Sequence, residues 1–234
     1  MCYHAPMRAH IARVIEIQRD PGGFSAWLAC PAQAIPPAGQ YVLAADPADA
    51  LQPLSVPLFP VRISKDGFLA ASPFQVAWTP GTALENHGPL GRGFKLPPTA
   101  RNVALAGLGE TTARLMPLIP AALNQGAAVA LFTDAPLPQL PSAVEAYPLS
   151  ALPELLTWAD FIAIDLPIAA LPELRTRLGL GAQAWLPCPG QALLLAPMPC
   201  GGIAECGVCA VPARRGWKLA CKDGPVFQLD EIKW

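Results

Sequence analysis

Up to about residue 95 the chain alternates apolar and polar positions in short runs broken by glycine and proline. Arg8 to Ile17 (RAHIARVIEI) alternates well enough for a strand, and Gly23 to Ala29 (GFSAWLA) suits its hairpin partner. Pro37-Ala38-Gly39 then turns into a third strand through Gln40 to Leu43. Short strands with Pro/Gly turns favour a small antiparallel barrel, although the pattern by itself leaves a sandwich open. From residue 101 to about 187 the rhythm changes to short apolar runs alternating with helical stretches, which predicts a parallel α/β layer. The runs are Val103–Ala106, Ala127–Phe132, Phe161–Ile164 and Ala184–Leu186, and the helical pieces fall at Thr111–Leu123, Leu152–Trp158 and Leu171–Leu178. Pro153 and Pro172 suit first helical turns. The expected architecture is α+β and multidomain: a β-barrel over residues 1–95, a nucleotide-type α/β layer over 96–190 and a cysteine-bearing tail over 191–234.

Composition narrows the classes of function. The chain of 234 residues is 53% hydrophobic and 14% charged, yet 29 prolines interrupt its apolar runs. None reaches the ~20 residues that a membrane-spanning helix needs. A surplus of apolar surface points instead to a subunit that buries a face against a partner. A net charge of -1 offers no basic patch for nucleic acid. Free cysteines without a targeting segment suggest a reducing, cytoplasmic setting.

Four of the seven cysteines fall near the end of the chain, at Cys200, Cys206, Cys209 and Cys221. A plant-type [2Fe–2S] site uses a tight loop carrying three thiolates plus a distant fourth. Small residues between the ligands let loop amides point at sulfur, and Gly201, Gly202 and Gly207 provide them. Zinc also accepts four thiolates, but structural zinc sites usually present two Cys-x-x-Cys pairs, and only Cys206/Cys209 forms one here. An odd number of cysteines argues against a disulfide framework. Ala210-Val211 and Trp217–Ala220 are expected to form a hairpin that brings Cys209 and Cys221 together. Cys2, Cys30 and Cys188 show no companion pattern, and His4, His10 and His87 are scattered.

The order Cys-Gly…Cys-x-x-Cys followed by Cys221-Lys222-Asp223-Gly224-Pro225-Val226-Phe227 resembles the electron-transfer subunit of NAD-linked dihydroorotate dehydrogenases, in the ferredoxin reductase superfamily. That resemblance implies Cys200, Cys206, Cys209 and Cys221 as [2Fe–2S] ligands. Family members usually have four residues between the first two cysteines where this chain has five, so one residue must bulge near Gly201-Gly202. Gly88-Pro89-Leu90-Gly91-Arg92-Gly93-Phe94 resembles the family's connector from an FAD-type barrel to an NAD-type domain, so Gly88 and Gly91 are expected to line the cleft. Gln40-Tyr41-Val42 sits within a segment similar to one in the flavin-binding barrel.

The cofactor segments upstream depart from the family pattern. Pro53-Leu54-Ser55 lies where relatives place a flavin against Arg-Pro-x-Ser, but the arginine is replaced by Gln52, which makes no charged phosphate contact. The first nucleotide turn, Gly107-Leu108-Gly109-Glu110, puts a carboxylate where a pyrophosphate would sit. Ile164-Asp165-Leu166-Pro167 replaces the family's Cys-Gly-Pro segment. FAD therefore remains an open expectation, and NAD(P) binding is not expected.

The resemblance thus implies an accessory redox subunit of an oxidoreductase, linked to pyrimidine biosynthesis, relaying electrons through a [2Fe–2S] cluster. Its partner would be a flavin-containing dehydrogenase catalytic subunit in a hetero-oligomer. The tail Lys222–Phe227, just past the last cysteine, is expected at the docking surface. A cluster-only relay without FAD or NAD, and a zinc-stapled interaction protein, are the alternatives.

Overall fold

The computed structural model describes residues 9–20, 23–50, 54–71, 78–137, 139–181, 184–200 and 202–234. The first seven strands are β1 (Ala9–Asp20), β2 (Gly23–Ala29), β3 (Tyr41–Ala45), β4 (Val56–Leu58), β5 (Pro60–Ser64), β6 (Gly67–Ala71) and β7 (Ala83–Leu90). They form one antiparallel sheet in the order β4-β3-β7-β1-β2-β6-β5. Its two edge strands, β4 and β5, are separated in sequence by Phe59 alone. The sheet therefore curls until both edges belong to one continuous stretch of chain, which makes it a barrel rather than a sandwich. Period-two patterning fills it: Ala12 and Val14 of β1 point inward while Ile11 and Ile15 stay exposed.

A second sheet has the order β10-β9-β8-β11-β12-β15. Five strands run parallel: β8 (Asn102–Gly107), β9 (Ala128–Thr133), β10 (Val144–Tyr147), β11 (Phe161–Pro167) and β12 (Gly190–Leu195). The last, β15 (Val226–Gln228), lies antiparallel on β12. Alternate residues serve two cores, with Ala104, Phe132 and Ile164 on one face and Val103, Leu131 and Phe161 on the other. Burial on both faces explains why these strands read as near-continuous apolar runs. Between β12 and β15 the chain makes the hairpin of β13 (Ala210–Pro212) and β14 (Trp217–Leu219), as its sequence predicts.

Prolines account for the departures from the sequence expectations. Ala184–Leu186 is not a strand, because Pro187 and Pro189 lack the amides a ladder needs, and pairing starts at Gly190. The helix expected from Thr111 begins as a 3-10 turn over Ala113–Leu115, and α1 (Leu118–Asn124) forms only after Pro117. Pro153 does occupy the first turn of α2 (Leu152–Leu155). Pro172 lies inside a 3-10 turn, Ile168–Glu173, that precedes α3 (Leu174–Arg177). Strand β10, only four residues long, had no distinct apolar run to announce it. Among the described residues no helix is long and apolar enough to cross a membrane.

The tail corrects one expectation. Val226 and Phe227 are not at a docking surface: Phe227 is 2% exposed and sits in the core between the sheet and the barrel. The reason is a backbone exchange with the connector. Arg92 N donates to Gly224 O at 2.6 Å, and Val226 N donates to Arg92 O at 3.4 Å. Gln40 Nε2 donates to Gly91 O at 2.8 Å, which adds the barrel to the same junction.

Gly91 has a φ of +74°, and a Cβ there would meet Gly224 O and Pro225 Cδ at 2.6 Å. Gly126 has nearly the same φ, +76°, with nothing within 4 Å of such a Cβ. Gly126→Ala should therefore cost about 1 kcal/mol from backbone strain alone. Gly91→Ala should cost about 2–4 kcal/mol, because overpacking against backbone is added. Urea unfolding midpoints measure both, and equal losses would refute the junction's tightness.

Candidate metal centre

The hairpin register positions two of the cysteines. Ala210 pairs with Leu219, and Ala220 N donates to Cys209 O at 2.9 Å, so the residues bracketing the hairpin face each other. Cys221 sits in a single helical turn, α4 (Ala220–Asp223), whose start is fixed by Leu219 N donating to Asp223 Oδ2 at 2.8 Å. The two buried sulfurs lie 3.4 Å apart. An ion pair of Lys218 with Glu231, at 2.5 Å, ties the hairpin to the segment after β15.

The other two cysteines lie in a coiled loop. Gly202, Ala204 and Gly207 all have positive φ, and Ala204 at +67° is the one non-glycine residue with that backbone among those described. This winding turns loop amides toward sulfur. Partial burial raises the Cys200 thiol, but amide hydrogen bonds from Ala204, Gly202 and Cys206, with the Cys206 side chain, outweigh it and bring it down to about 7. Burial pushes Cys221 up to about 12, and the neighbouring Cys209 and Cys200 sulfurs push in the same direction. The thiols thus form a connected row, Cys206–Cys200–Cys221–Cys209. Among the described residues no three His, Cys, Asp or Glu side chains gather around a single metal position.

Thiolates held this close repel one another, and a cation placed among them reverses that penalty. The donor set therefore fits a thiolate-bound metal group, with inward amides ready to stabilise sulfur charge. Tyr41 was not singled out as part of this site by the sequence. Its hydroxyl donates to Cys221 O at 3.2 Å, its ring is 5.5 Å from Phe59, and burial and then the nearby sulfurs raise its phenol. An inward aromatic residue on a barrel strand signals core in sequence; only the fold brings it 180 residues along the chain to the last cysteine.

The remaining candidate residues are dispersed. Pro53 lies outside the described residues, as do Gln52 and Gly201, while Leu54 is exposed and Ser55 half-buried just before β4. Gly88 is buried in β7, where a Cβ would meet Tyr41 O at 3.1 Å, and Gly91 faces the tail. Glu110 lines an open cleft of about 400 Å³ with Asp134 and Arg177 at the carboxyl ends of β8 and β9. Beneath that cleft Leu108 N donates to Asp165 O at 2.9 Å, so this amide of the turn is already engaged.

Asp165 itself forms a buried ion pair with Arg114 at 3.0 Å. Desolvation raises the Asp165 carboxyl, and the Arg114 charge and hydrogen bond oppose that rise. A lone aspartate within the apolar run Phe161–Pro167 was the available signal, since a buried charge requires a partner.

The fold is that of the ferredoxin reductases, a barrel followed by a mostly parallel α/β sheet. The chain overlays on one from the NADH-dependent reduced ferredoxin-NADP oxidoreductase, a structure described in connection with flavin-based electron bifurcation. The TM-score is 0.75 at 18% identity, covering 100% of this chain and 92% of that one. The ferredoxin reductase of carbazole 1,9a-dioxygenase gives 0.58 at 17% identity over 76% and 67% of the two chains. An Amycolatopsis cytochrome P450 reductase gives 0.55 at 18% over 75% and 67%. The tail is more specific: residues 197–233 match the family of the iron–sulfur cluster binding domain of dihydroorotate dehydrogenase B. No curated protein matches the chain.

The Arg114–Asp165 pair is open to a direct test. Arg114→Leu should cost about 3–5 kcal/mol by leaving a buried carboxylate alone. The double change Arg114→Leu with Asp165→Leu should recover most of that loss, because no charge is then stranded. Denaturant unfolding of both variants gives the coupling, and additive losses would contradict it.

Proposed function

We propose that this chain is the electron-transfer subunit of an oxidoreductase complex of the dihydroorotate dehydrogenase kind, holding a [2Fe–2S] cluster on Cys200, Cys206, Cys209 and Cys221. The observation that carries the reading is the linked row of four sulfurs, with no three of them around a single metal position among the described residues and with amides directed at Cys200. A single zinc ion calls for four ligands around one point. When bound, a [2Fe–2S] cluster supplies one-electron transfer at a potential set by burial and hydrogen bonds to sulfur.

The chain's own residues would then divide the work. Gly202, Ala204 and Cys206 amides stabilise charge on the Cys200 sulfur, and Cys209 and Cys221 anchor the other side in the core. Tyr41 holds the Cys221 backbone against the barrel. Exposed Cys206, Ile203 and Val208 mark the side open to a redox partner. With the tail buried, the cysteine loop is the docking face for a flavin-containing dehydrogenase catalytic subunit. Free thiols suit a cytoplasmic complex.

The three units in this reading are an FAD-type barrel over 1–95, a degenerate NAD-type layer over 96–190 and the cluster-binding tail over 191–234. Leu54 and Ser55, with Pro53, are the candidate flavin contacts, and Gly88 and Gly91 belong to the cleft region. Gln52 weakens that flavin site. The engaged Leu108 amide and the carboxylates Glu110 and Asp134, only partly offset by Arg177 in the same cleft, disfavour a nucleotide phosphate, so NAD(P) is not expected to bind. A cluster-only relay that has lost both nucleotides is the second reading, favoured by these same residues.

Anaerobically purified chain should contain about two iron and two acid-labile sulfide, with cluster absorption and weak or absent flavin bands. Serine at Cys206, Cys209 or Cys221 should bleach the cluster. Zinc without sulfide would sink the proposal, and an unaffected Cys200→Ser variant would move the first ligand elsewhere.

Docking has its own test. Val208→Asp should weaken association with the catalytic subunit about tenfold or more by placing a charge in an apolar contact, while the visible spectrum stays unchanged. Undiminished association in a pull-down titration would place the interface elsewhere.

A further inference from the structure

On the far side of the molecule's tail, a cavity of about 740 Å³ opens between the loop before β12, the hairpin tip and the segment after β15. It lies at the amino end of β12, by Gly190, whereas the cleft with Glu110 lies at the carboxyl ends of β8 and β9. Its volume is within the range of small-molecule sites. Leu186, Pro187, Pro189 and Leu229 supply apolar wall, and Cys188 lies at its buried end. Burial, and secondarily Asp160, push the Cys188 thiol up to about 11, so that end is uncharged at neutral pH.

Two arginine–tryptophan stacks frame this wall. The Arg175 guanidinium lies 4.6 Å from the Trp234 ring and donates to Gly181 O and Ala184 O, each at 2.9 Å. Those bonds fix Arg175 as part of the frame. The Arg214 guanidinium lies 4.9 Å from the Trp185 ring, and it has no hydrogen-bond or ion-pair partner among the described residues. Trp185 is 72% exposed, an unusual state for the largest apolar side chain. A stacked guanidinium keeps its in-plane N–H fork available, and that fork matches a carboxylate or phosphate oxygen pair. Asp230 also lines the cavity, and its charge disfavours a ligand carrying several negative charges.

We propose that this cavity is a binding site for a small planar ring compound with a single anionic group, its ring against the Leu186, Pro187 and Trp185 wall and its anion on Arg214. The site is separate from the cluster and does not depend on the chain's redox role. An aromatic anion gains from both halves at once, since the stacking surface and the unpaired cation are contiguous.

Calorimetry on the intact, cluster-bearing protein with three probes separates the contributions: 1-naphthoate, its neutral isostere 1-naphthamide, and acetate. Naphthoate should bind at least about tenfold more tightly than naphthamide, as a charge-assisted contact implies, and acetate should bind too weakly to measure. Arg214→Gln should weaken naphthoate about tenfold without changing naphthamide, and Asp230→Asn should strengthen it. The two changes have opposite signs, so a general loss of folding cannot mimic the pattern, and an unchanged visible spectrum confirms an intact tail. Equal affinity for naphthoate and naphthamide, or no response to either substitution, would overturn the proposal.

Discussion

The structure depends on a short backbone exchange between residues 91–94 and 224–226. Arg92 and Pro225 form an isolated parallel bridge, and the bonds on either side tie the connector to the tail. Buried peptide groups must find partners, so each strand of this junction satisfies the other. The chain approaches itself too closely there for side chains: a Cβ at Gly39 would fall 2.6 Å from Val226 Cγ2, and one at Gly93 2.5 Å from Ala38 O. The connector's glycines are consequences of that approach. Because Cys221 lies three residues before Gly224, the junction also sets where the last sulfur sits relative to the barrel.

From this fixed point the cysteine site is assembled by two different devices. Cys209 and Cys221 are carried on a hairpin whose register leaves no freedom in their separation. Cys200 and Cys206 depend on a left-handed winding in which three residues adopt positive φ. The first pair is buried in the common core, whereas Cys206 is exposed. Backbone pairing fixes the first pair, whereas the loop holding Cys200 and Cys206 has no strand ladder of its own, so a metal group bound among the thiols would order that solvent-facing half the more.

Elements with local physical causes were legible in the sequence. Alternation along β1 and β2, the apolar runs of β8, β9 and β11, and the spacing of the cysteines all act over a few residues. What escaped was set by long-range packing or by proline. Phe227 was expected at a docking surface because it lies just past the last cysteine, and only its pairing across β12 buries it. Tyr41 read as part of the third barrel strand, and nothing near it in sequence announces Cys221. Ala184–Leu186 had strand composition, but the following prolines removed the donors.

The α/β layer serves as a mount for the cysteine-bearing tail. In such sheets a ligand phosphate uses free amides at the turn after the first strand. Here the turn folds inward. Leu108 N is bonded to the neighbouring strand, and Gly109 faces Pro167. Arg114, one turn later, reaches back to Asp165 beneath. A buried ion pair rarely adds much net stability over a well-packed apolar pair, so its value lies in geometry: stranding either charge is costly, and this penalises any rearrangement that separates β11 from the turn. The same rigidity serves the other end of the sheet, because β11 pairs with β12, and β12 carries β15 and with it the junction that positions Cys221.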